Sequence, residues 1–193
     1  RSSSALPLRS SSALIFSMSM PFTPSETLYS DFAGRCTNMK LAVFSDTHGN
    51  TDGMLTAAKR TRPDLFIHLG DHIRDSLELA HEFPDIPLYA VAGNCDFASR
   101  EPDRMSFFAG PVRVFATHGH AYSVKYTLDP LLNAGHFAEA GLVLYGHTHI
   151  PRIDYAGDMT VVNPGSSGKG SRPTFALIEI SDEGRISARI LDI

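Results

Sequence analysis

The sequence predicts an α/β fold in which two mixed β-sheets pack against each other and helices cover their outer faces. In the first half, short apolar runs alternate with helical patterns. This strand–helix–strand–helix–strand order implies right-handed parallel crossovers. The second half is richer in strand-like runs. Two turn sequences in that half, at 156–158 and 181–184, are typical of hairpins and therefore add antiparallel strands.

The first half opens with a continuous apolar run at 41–44. The run has no polar alternation, so it suits a strand buried on both faces. A helix is predicted at 50–62, with Asn50 or Thr51 as its N-cap. The other elements of this half are strands at 64–69 and 88–92 and a helix at 71–83.

The second half contains one predicted helix, at 126–140. Its predicted strands lie at 112–117, 142–145, 153–155, 159–162, 174–180 and 185–191. The last four of these form the two hairpins around the turn sequences.

Length and composition exclude several kinds of protein. The chain has 193 residues, of which 42% are hydrophobic, and a formal net charge of −4, which suits one globular domain with an extension. A protein that binds extended nucleic acid needs a basic face, which this charge balance does not favour. No apolar run approaches the roughly 20 residues that span a bilayer, so no membrane partner is expected. The two cysteines, Cys36 and Cys95, rule out a disulfide framework and favour a reducing, cytoplasmic location.

Residues 1–38 differ from the rest of the chain. The segment 1–6 recurs at 9–14, no acidic residue precedes Glu26, and Pro7, Pro21 and Pro24 interrupt any helix. We expect a disordered or non-native extension at 1–38, followed by a single domain at 39–193. A targeting peptide is the alternative, because transit peptides are rich in Ser and Arg and poor in acidic residues.

Five polar clusters follow five predicted strands. They contain Asp46 and His48, Asp71 and His72, Asn94 to Asp96, His118 and His120, and His147 and His149. Ligands of open α/β sheets bind beyond the carboxyl ends of the strands, and parallel strands bring these ends to one edge. Carboxylates and imidazoles crowded there without partners would be costly, and metal ions remove that cost. Imidazole, carboxylate and amide ligands without an obligatory thiolate favour Mn, Fe, Zn, Co or Ni.

These motifs together resemble the calcineurin-like metallophosphoesterases, and within them the small YfcE-type phosphodiesterases. The motifs that carry the resemblance are Asp46-x-His48, Gly70-Asp71, Gly93-Asn94-Cys95-Asp96, Thr117-His118-Gly119-His120 and Gly146-His147-Thr148-His149. Further matches at 122–125 and 163–166 extend it over nearly all of 39–193. The resemblance implies a four-layer α–β–β–α sandwich and an enzyme.

The resemblance also implies a centre of two divalent metal ions, for which Mn is the leading candidate and Mg is a further alternative to the metals above. The seven ligand positions are filled in this chain: Asp46, His48 and His149 for one ion, Asn94, His118 and His147 for the other, and Asp71 as the bridge. A metal-bound hydroxide would attack phosphorus in line with the leaving oxygen. His72 and His120 are candidates for substrate contact or for support of the ligands.

Cys95 occupies a position at which many relatives have His. In those relatives the His protonates the leaving group or holds the phosphate, and Asp96 would orient it. A neutral thiol replaces an imidazolium poorly, and the lost cation matters more for dianionic monoesters than for diesters. The expected substrate is therefore a small phosphodiester, and the predicted catalytic residues are Asp71, Asn94, Cys95, Asp96 and His118. The identity of the diester, the general acid and the oligomeric state, a homo-oligomer included, stay open.

Two other functions stay open at this point. One is a phosphomonoesterase or nucleotide phosphatase of the same superfamily. Such enzymes usually keep a Gly-Asn-His pattern and add arginines or a capping domain, whereas this chain has Cys95 and little spare length. The other is a non-enzymatic scaffold of the retromer-subunit type, in which some metal-site positions are altered. The complete ligand set argues against it. The loop at 167–172 departs from the Pro-Arg that the family often has there, which leaves the substrate loop undefined.

Overall fold

The structure is a computed structural model that describes residues 38–193. The predicted extension and Cys36 therefore lie outside the described residues, apart from Asn38. The strands of the described part are β1 (Met39–Phe44), β2 (Leu65–His68), β3 (Leu88–Ala90), β4 (Arg104–Ala109), β5 (Val112–Thr117), β6 (Leu142–Leu144), β7 (Arg152–Ala156), β8 (Met159–Asn163), β9 (Thr174–Ile180) and β10 (Ile186–Asp192). Its helices are α1 (Asp52–Thr61), α2 (Ser76–Glu82) and α3 (Asp129–Phe137), with 3₁₀ turns at Ile73–Asp75 and His120–Tyr122.

These strands form two mixed five-stranded sheets. In the first sheet the order is β10-β9-β1-β2-β3, and β1, β2 and β3 run parallel. In the second the order is β4-β5-β6-β8-β7, and β5, β6 and β8 run parallel. The remaining strands pair antiparallel with their neighbours. The five polar loops that the sequence identified therefore follow the carboxyl ends of parallel strands, three from one sheet and two from the other.

Alternate residues of a strand face in opposite directions. Both faces of each sheet contribute buried side chains, one to the core between the sheets and the other to a core under the helices. In β1, Leu41 and Val43 belong to the core that contains side chains of both sheets. Ala42 and Phe44 pack instead with residues of α1 and α2. The outer face of the second sheet buries Leu131 of α3. The layers are thus helices, sheet, sheet and helix, which confirms the predicted four-layer α–β–β–α sandwich.

Two predicted helices have different bounds. The helix predicted at 71–83 starts only after a 3₁₀ turn, as α2, because Asp71 and His72 have φ angles of 55° and 67°. A right-handed helix cannot include residues in that left-handed region. The helix predicted at 126–140 is limited to Asp129–Phe137. The polar loop at Asp71 and His72 therefore has a left-handed backbone where the sequence predicts a helix.

Two further details differ from the prediction. The edge strand β4 (Arg-Met-Ser-Phe-Phe-Ala) is not predicted by the sequence, because its residues lack a clear alternation of apolar and polar side chains. Thr51 occupies the N-cap position of α1, as predicted, but it makes no side-chain cap hydrogen bond, and the Asn50 amide donates to the Gly168 carbonyl at 3.5 Å. None of the helices in residues 38–193 has the length and apolar character needed to cross a membrane.

Candidate metal centre

The loops at the sheet edge hold strained backbone. Of the nine non-glycine residues with positive φ among the described residues, six belong to the predicted site: Asp46, His48, Asp71, His72, His147 and His149. Such conformations cost about 1–3 kcal/mol each and persist only where the surroundings impose them. The loops also pack closely, since a Cβ on Gly93 would strike Asp71 and one on Gly146 would strike Ser45. The fold therefore fixes the direction of these side chains at a cost in stability.

The first cluster of potential ligands is Asp46, His48, Asp71 and His149, whose ligand atoms all lie within 4.8 Å of one another. Asp46 is fully buried, and its Oδ2 accepts a hydrogen bond from the Ser45 hydroxyl. Its Oδ1 lies 3.0 Å from Nε2 of His149 but has no hydrogen-bond partner within residues 38–193. Nε2 of His48, 4.0 Å from Oδ2 of Asp71, is also buried without a hydrogen-bond partner in the part of the chain that the structure describes. Two buried polar atoms without partners fit a bound cation.

The second cluster is Asp71, His118 and His147, joined by the amide of Asn94. His118 is fully buried, and its Nδ1 lies 2.7 Å from the carbonyl oxygen of Leu69. Because a carbonyl oxygen only accepts, Nδ1 carries a proton, and in the tautomer with its single proton there Nε2 presents a lone pair. That atom lies 3.1 Å from Oδ1 of Asn94, 3.2 Å from Nδ1 of His147 and 3.5 Å from Oδ1 of Asp71. Acceptors that face one another repel, and a cation between them removes the repulsion.

The protonation states suit metal binding. Burial, together with the charges of His118 and Lys125, lowers the pKa of His147 to about 4. Burial and the charge of Lys169 lower the pKa of His48. The pKa of Asp71 is lowered although burial raises it, because the Cys95 amide donates to its Oδ1 at 2.8 Å and His118 lies nearby. At neutral pH the two imidazoles are therefore neutral and the carboxylate is ionised, as ligands must be.

Comparison with known proteins decides the family. Residues 39–183 match the model of the Calcineurin-like phosphoesterase superfamily domain. The chain belongs to the calcineurin-like phosphoesterase superfamily. Over 134 residues it is 38% identical to the probable metallophosphoesterase YsnB of Bacillus subtilis. That alignment covers 66% of this chain and 75% of YsnB. Over 169 residues it is 29% identical to the phosphodiesterase YfcE of Escherichia coli. That alignment covers 70% of this chain and 84% of YfcE.

Solved structures agree on the fold. A predicted phosphoesterase from Streptococcus pneumoniae has a TM-score of 0.63 at 22% identity and covers 82% of this chain and 100% of its own. Vps29 from Entamoeba histolytica, complexed with Zn²⁺, has a TM-score of 0.65 at 17% identity and covers 80% of this chain and 99% of its own. The family model confirms the family inferred from the sequence motifs, these structures confirm the fold, and the metallophosphoesterase fold implies divalent metals.

The other predicted site residues lie around the two clusters. Cys95 as a residue is exposed, but its thiol is partly removed from solvent. This partial burial, followed by the hydrogen bond and charge of the Asp71 carboxylate, raises the pKa of the thiol. The carboxylate of Asp96 accepts the amide hydrogens of Gly93 at 2.8 Å and Ile73 at 3.0 Å, so in the structure it holds the loop in place. The ring of His72 is exposed and its centroid lies 5.2 Å from that of His48. The ring of His120 is partly buried 5.5 Å from that of His118, and its Nδ1 has no hydrogen-bond partner.

Sequence reasoning missed the residues that support the ligand loops. Asn163 is fully buried at the end of β8, and its side-chain amide donates to the Gly146 carbonyl at 2.9 Å and to the Thr148 hydroxyl at 3.0 Å. The Ser166 hydroxyl donates to the carbonyl of Asp46 at 2.8 Å. These bonds tie the loop at 163–166 to both ligand clusters. The match of its Asn-Pro-Gly-Ser sequence to the family is the one feature of the sequence that points to this supporting loop.

His68 lies beneath the ligand loops and joins two of them. Its Nδ1 accepts the amide hydrogen of Gly70 at 3.2 Å, so its Nε2 donates to the Thr47 hydroxyl at 3.2 Å. The ring is fully buried, and burial lowers its pKa to about 4 against the opposing charge of Asp75. His68 is therefore a hydrogen-bonded core residue that stays neutral in the folded protein.

The unfolding free energy of the metal-free protein is expected to fall as the pH drops from 6.5 to about 4. In that window unfolded His68, with its ordinary pKa of 6.5, binds a proton that the folded state excludes, so acid favours unfolding. At about 1.4 kcal/mol per pKa unit, the loss from this group is about 3 kcal/mol. Urea titrations at a series of pH values, with chelator present, measure it. His68→Gln should flatten this slope, whereas His136→Gln on exposed α3 should keep it. Equal slopes in all three proteins would contradict the assignment.

Proposed function

We propose that this protein is a metal-dependent hydrolase of small phosphodiesters that works with two divalent ions, Mn foremost. The observation that carries the proposal is the convergence of seven lone-pair-bearing side chains on two adjacent clusters with Asp71 in common. The two oxygens of Asp71 face different clusters: Oδ2 lies 4.0 Å from His48 and Oδ1 lies 3.5 Å from His118. This arrangement supports a bridging carboxylate. The phosphodiesterase name of YfcE supports diester hydrolysis, and the zinc named with Vps29 belongs to a protein of the same fold that holds a divalent ion.

The proposed ligands differ in donor type between the two clusters. His48 and His149 join Asp46 at the first, and His118 and His147 join Asn94 at the second. Two divalent ions held there would activate water and neutralise charge on the phosphate and its transition state. The protein's own task is to aim these imidazoles: the buried Leu69 carbonyl accepts the proton on Nδ1 of His118 and so turns Nε2 toward the centre.

The residues around the ligands select the substrate. The raised pKa of Cys95 keeps its thiol neutral at pH 7, so this position offers a weak hydrogen-bond donor and no positive charge. His120 has a pKa lowered by burial and by the His118 charge, so it is neutral as well. Cys95 and His120 therefore add no positive charge for a phosphomonoester dianion, which leaves Lys125 and Lys169 as side-chain cations near the ligands, whereas a diester monoanion requires less. His72 and His120, on opposite clusters, are the groups that we expect to contact the phosphate oxygens or the leaving group.

The proposal is tested with two substrates that share the p-nitrophenolate leaving group, p-nitrophenyl phosphate and methyl p-nitrophenyl phosphate. The metal-stripped protein, reloaded with Mn, should turn over the diester with a kcat/KM about tenfold higher or more, a difference of about 1.4 kcal/mol. Cys95→His should shift the preference toward the monoester because it restores a group that can carry a proton, and Cys95→Ser should not. A wild-type preference for the monoester would contradict the diester assignment. Absence of metal-dependent turnover of both would contradict the hydrolase itself.

A further inference from the structure

A groove of about 520 Å³ lies beside the metal centre. One side is formed by Thr148 and Ile150, which belong to the loop that carries His147 and His149. The segment 124–128, between the His120 turn and α3, forms another part of the lining. The lining is therefore continuous in the chain with two of the proposed metal ligands. Its volume lies within the roughly 300–1,000 Å³ of small-molecule sites.

The groove combines apolar, aromatic and cationic groups. Val124 and Leu128 contribute apolar surface, and the side chain of Ile150 is 65% exposed there. Tyr126 is 92% exposed, which leaves a ring face open to a flat partner. Lys125 brings a positive charge near the metal centre, since that charge helps to lower the pKa of His147.

A second cation lines the groove from the start of β7. Arg152 is held by Asp154, whose Oδ2 lies 2.6 Å from its Nε, and the guanidinium has further N–H groups beyond that one. With Lys125, the groove thus offers two cations from two different segments of the chain. Two cations and a stacking surface next to a phosphate-cleaving centre fit a ligand that is flat, apolar and negatively charged.

We propose that this groove binds the nucleoside part of a short linear nucleotide diester, with the base on Tyr126 and a second phosphate near Lys125 and Arg152. The inference rests on the proposed function and names its substrate class. A choline-type headgroup would bring a cation against two cations, which Coulomb repulsion disfavours. A cyclic mononucleotide has a single phosphate, which would lie at the metal centre, so neither groove cation would have a phosphate to bind. Stacking on an aromatic side chain is tolerant of base identity, so we expect little base preference.

The test uses three substrates with the same p-nitrophenolate leaving group: methyl p-nitrophenyl phosphate, thymidine 5′-(p-nitrophenyl phosphate) and its 3′-phosphorylated form. In the wild-type protein kcat/KM should rise about tenfold with the nucleoside and again with the 3′-phosphate, within the range of one stacked base or one charge pair. Tyr126→Ala should lower the ratio of thymidine to methyl ester. Lys125→Ala with Arg152→Ala should lower the ratio of the 3′-phosphorylated to the plain thymidine ester. Tyr155→Ala, on β7 and 75% exposed, should leave both ratios as in the wild type.

Binding gives a readout that does not depend on turnover. Calorimetry with the Mn-loaded full chain should detect thymidine 3′,5′-bisphosphate, and Tyr126→Ala should weaken its affinity about tenfold. Equal substrate ratios in the wild type and Tyr126→Ala, or a methyl ester as good as the thymidine esters, would overturn the groove assignment. If the wild type turned over none of the three esters with any metal, the proposed function would fail instead, and the bisphosphate measurement would still decide whether the groove binds a nucleotide.

Discussion

Asp71→Asn is expected to lower metal occupancy and phosphodiester turnover together, with turnover reduced roughly a thousandfold, the upper range for loss of one preorganised electrostatic group. The substitution keeps the shape of the side chain and removes one negative charge and one ligand oxygen. In the structure Oδ1 accepts the Cys95 amide at 2.8 Å, and the two oxygens face His118 and His48. If Asp71 joins both ions, one substitution disturbs both clusters at once.

Metal content after reloading with Mn and dialysis, measured by plasma mass spectrometry, gives occupancy independently of activity. Asp85→Asn, an exposed carboxylate in the turn after α2, is the matched control and should retain both ions. The metal-free Asp71→Asn protein should stay folded, because the amide oxygen of Asn can still accept the Cys95 amide hydrogen that Oδ1 accepts in the wild type. Two tightly held ions with near-normal turnover in this variant would exclude the bridging role.

Much of the fold was readable because burial on both faces of a strand leaves a local signal. The run at Leu41–Phe44 is apolar without alternation because Leu41 and Val43 face the other sheet while Ala42 and Phe44 face helices. Edge strands lack this signal, since β3, β7 and β10 have no buried residue and β4 has only Ala109. The strands β7 and β10 are still predictable from the hairpin turns beside them, and β3 from its place after a helix, whereas β4 is missed.

The candidate site was readable in part for a different reason. Parallel strands end at one edge, so polar residues that follow such strands can be expected to meet without any knowledge of their distance. The supporting bonds cannot be predicted in that way. Asn163 reaches Gly146 and Ser166 reaches Asp46, which lies 120 residues away in the chain. The late start of α2 was equally hidden, because the left-handed conformations of Asp71 and His72 are imposed by tertiary contacts.

His147→Ala should reduce metal affinity about a hundredfold or more, since even residues that only support a ligand cost 10–100-fold when removed. Phosphodiester turnover should fall by a similar or larger factor. The fold of the metal-free protein should not suffer, because Nδ1 of His147 lies 3.2 Å from the lone pair of His118 Nε2 and the substitution relieves that crowding. The backbone amide of residue 147 keeps its bond to Oδ2 of Asp46, 3.2 Å away.

Lowering the pH separates the effect of His147→Ala on metal affinity from its effect on the stability of the metal-free fold. The pKa of His147 is lowered to about 4 by burial and by the charges of His118 and Lys125, while the unfolded value is 6.5. Between these values the unfolded wild-type protein binds a proton that the folded state excludes, so the metal-free wild type loses stability as the pH falls. The Ala variant lacks that loss and should gain stability relative to the wild type over the same window.

Calorimetric Mn titration and urea unfolding, compared with the exposed control His136→Ala on α3, measure both sides of this prediction. His147→Asn tests the ligand role further, because an amide oxygen can replace an imidazole nitrogen as a metal ligand and should recover part of the affinity. An unfolded metal-free His147→Ala protein would mean that this imidazole holds the fold together. Wild-type Mn affinity in a folded variant would mean that the second cluster lacks the ion for which its four acceptors are arranged.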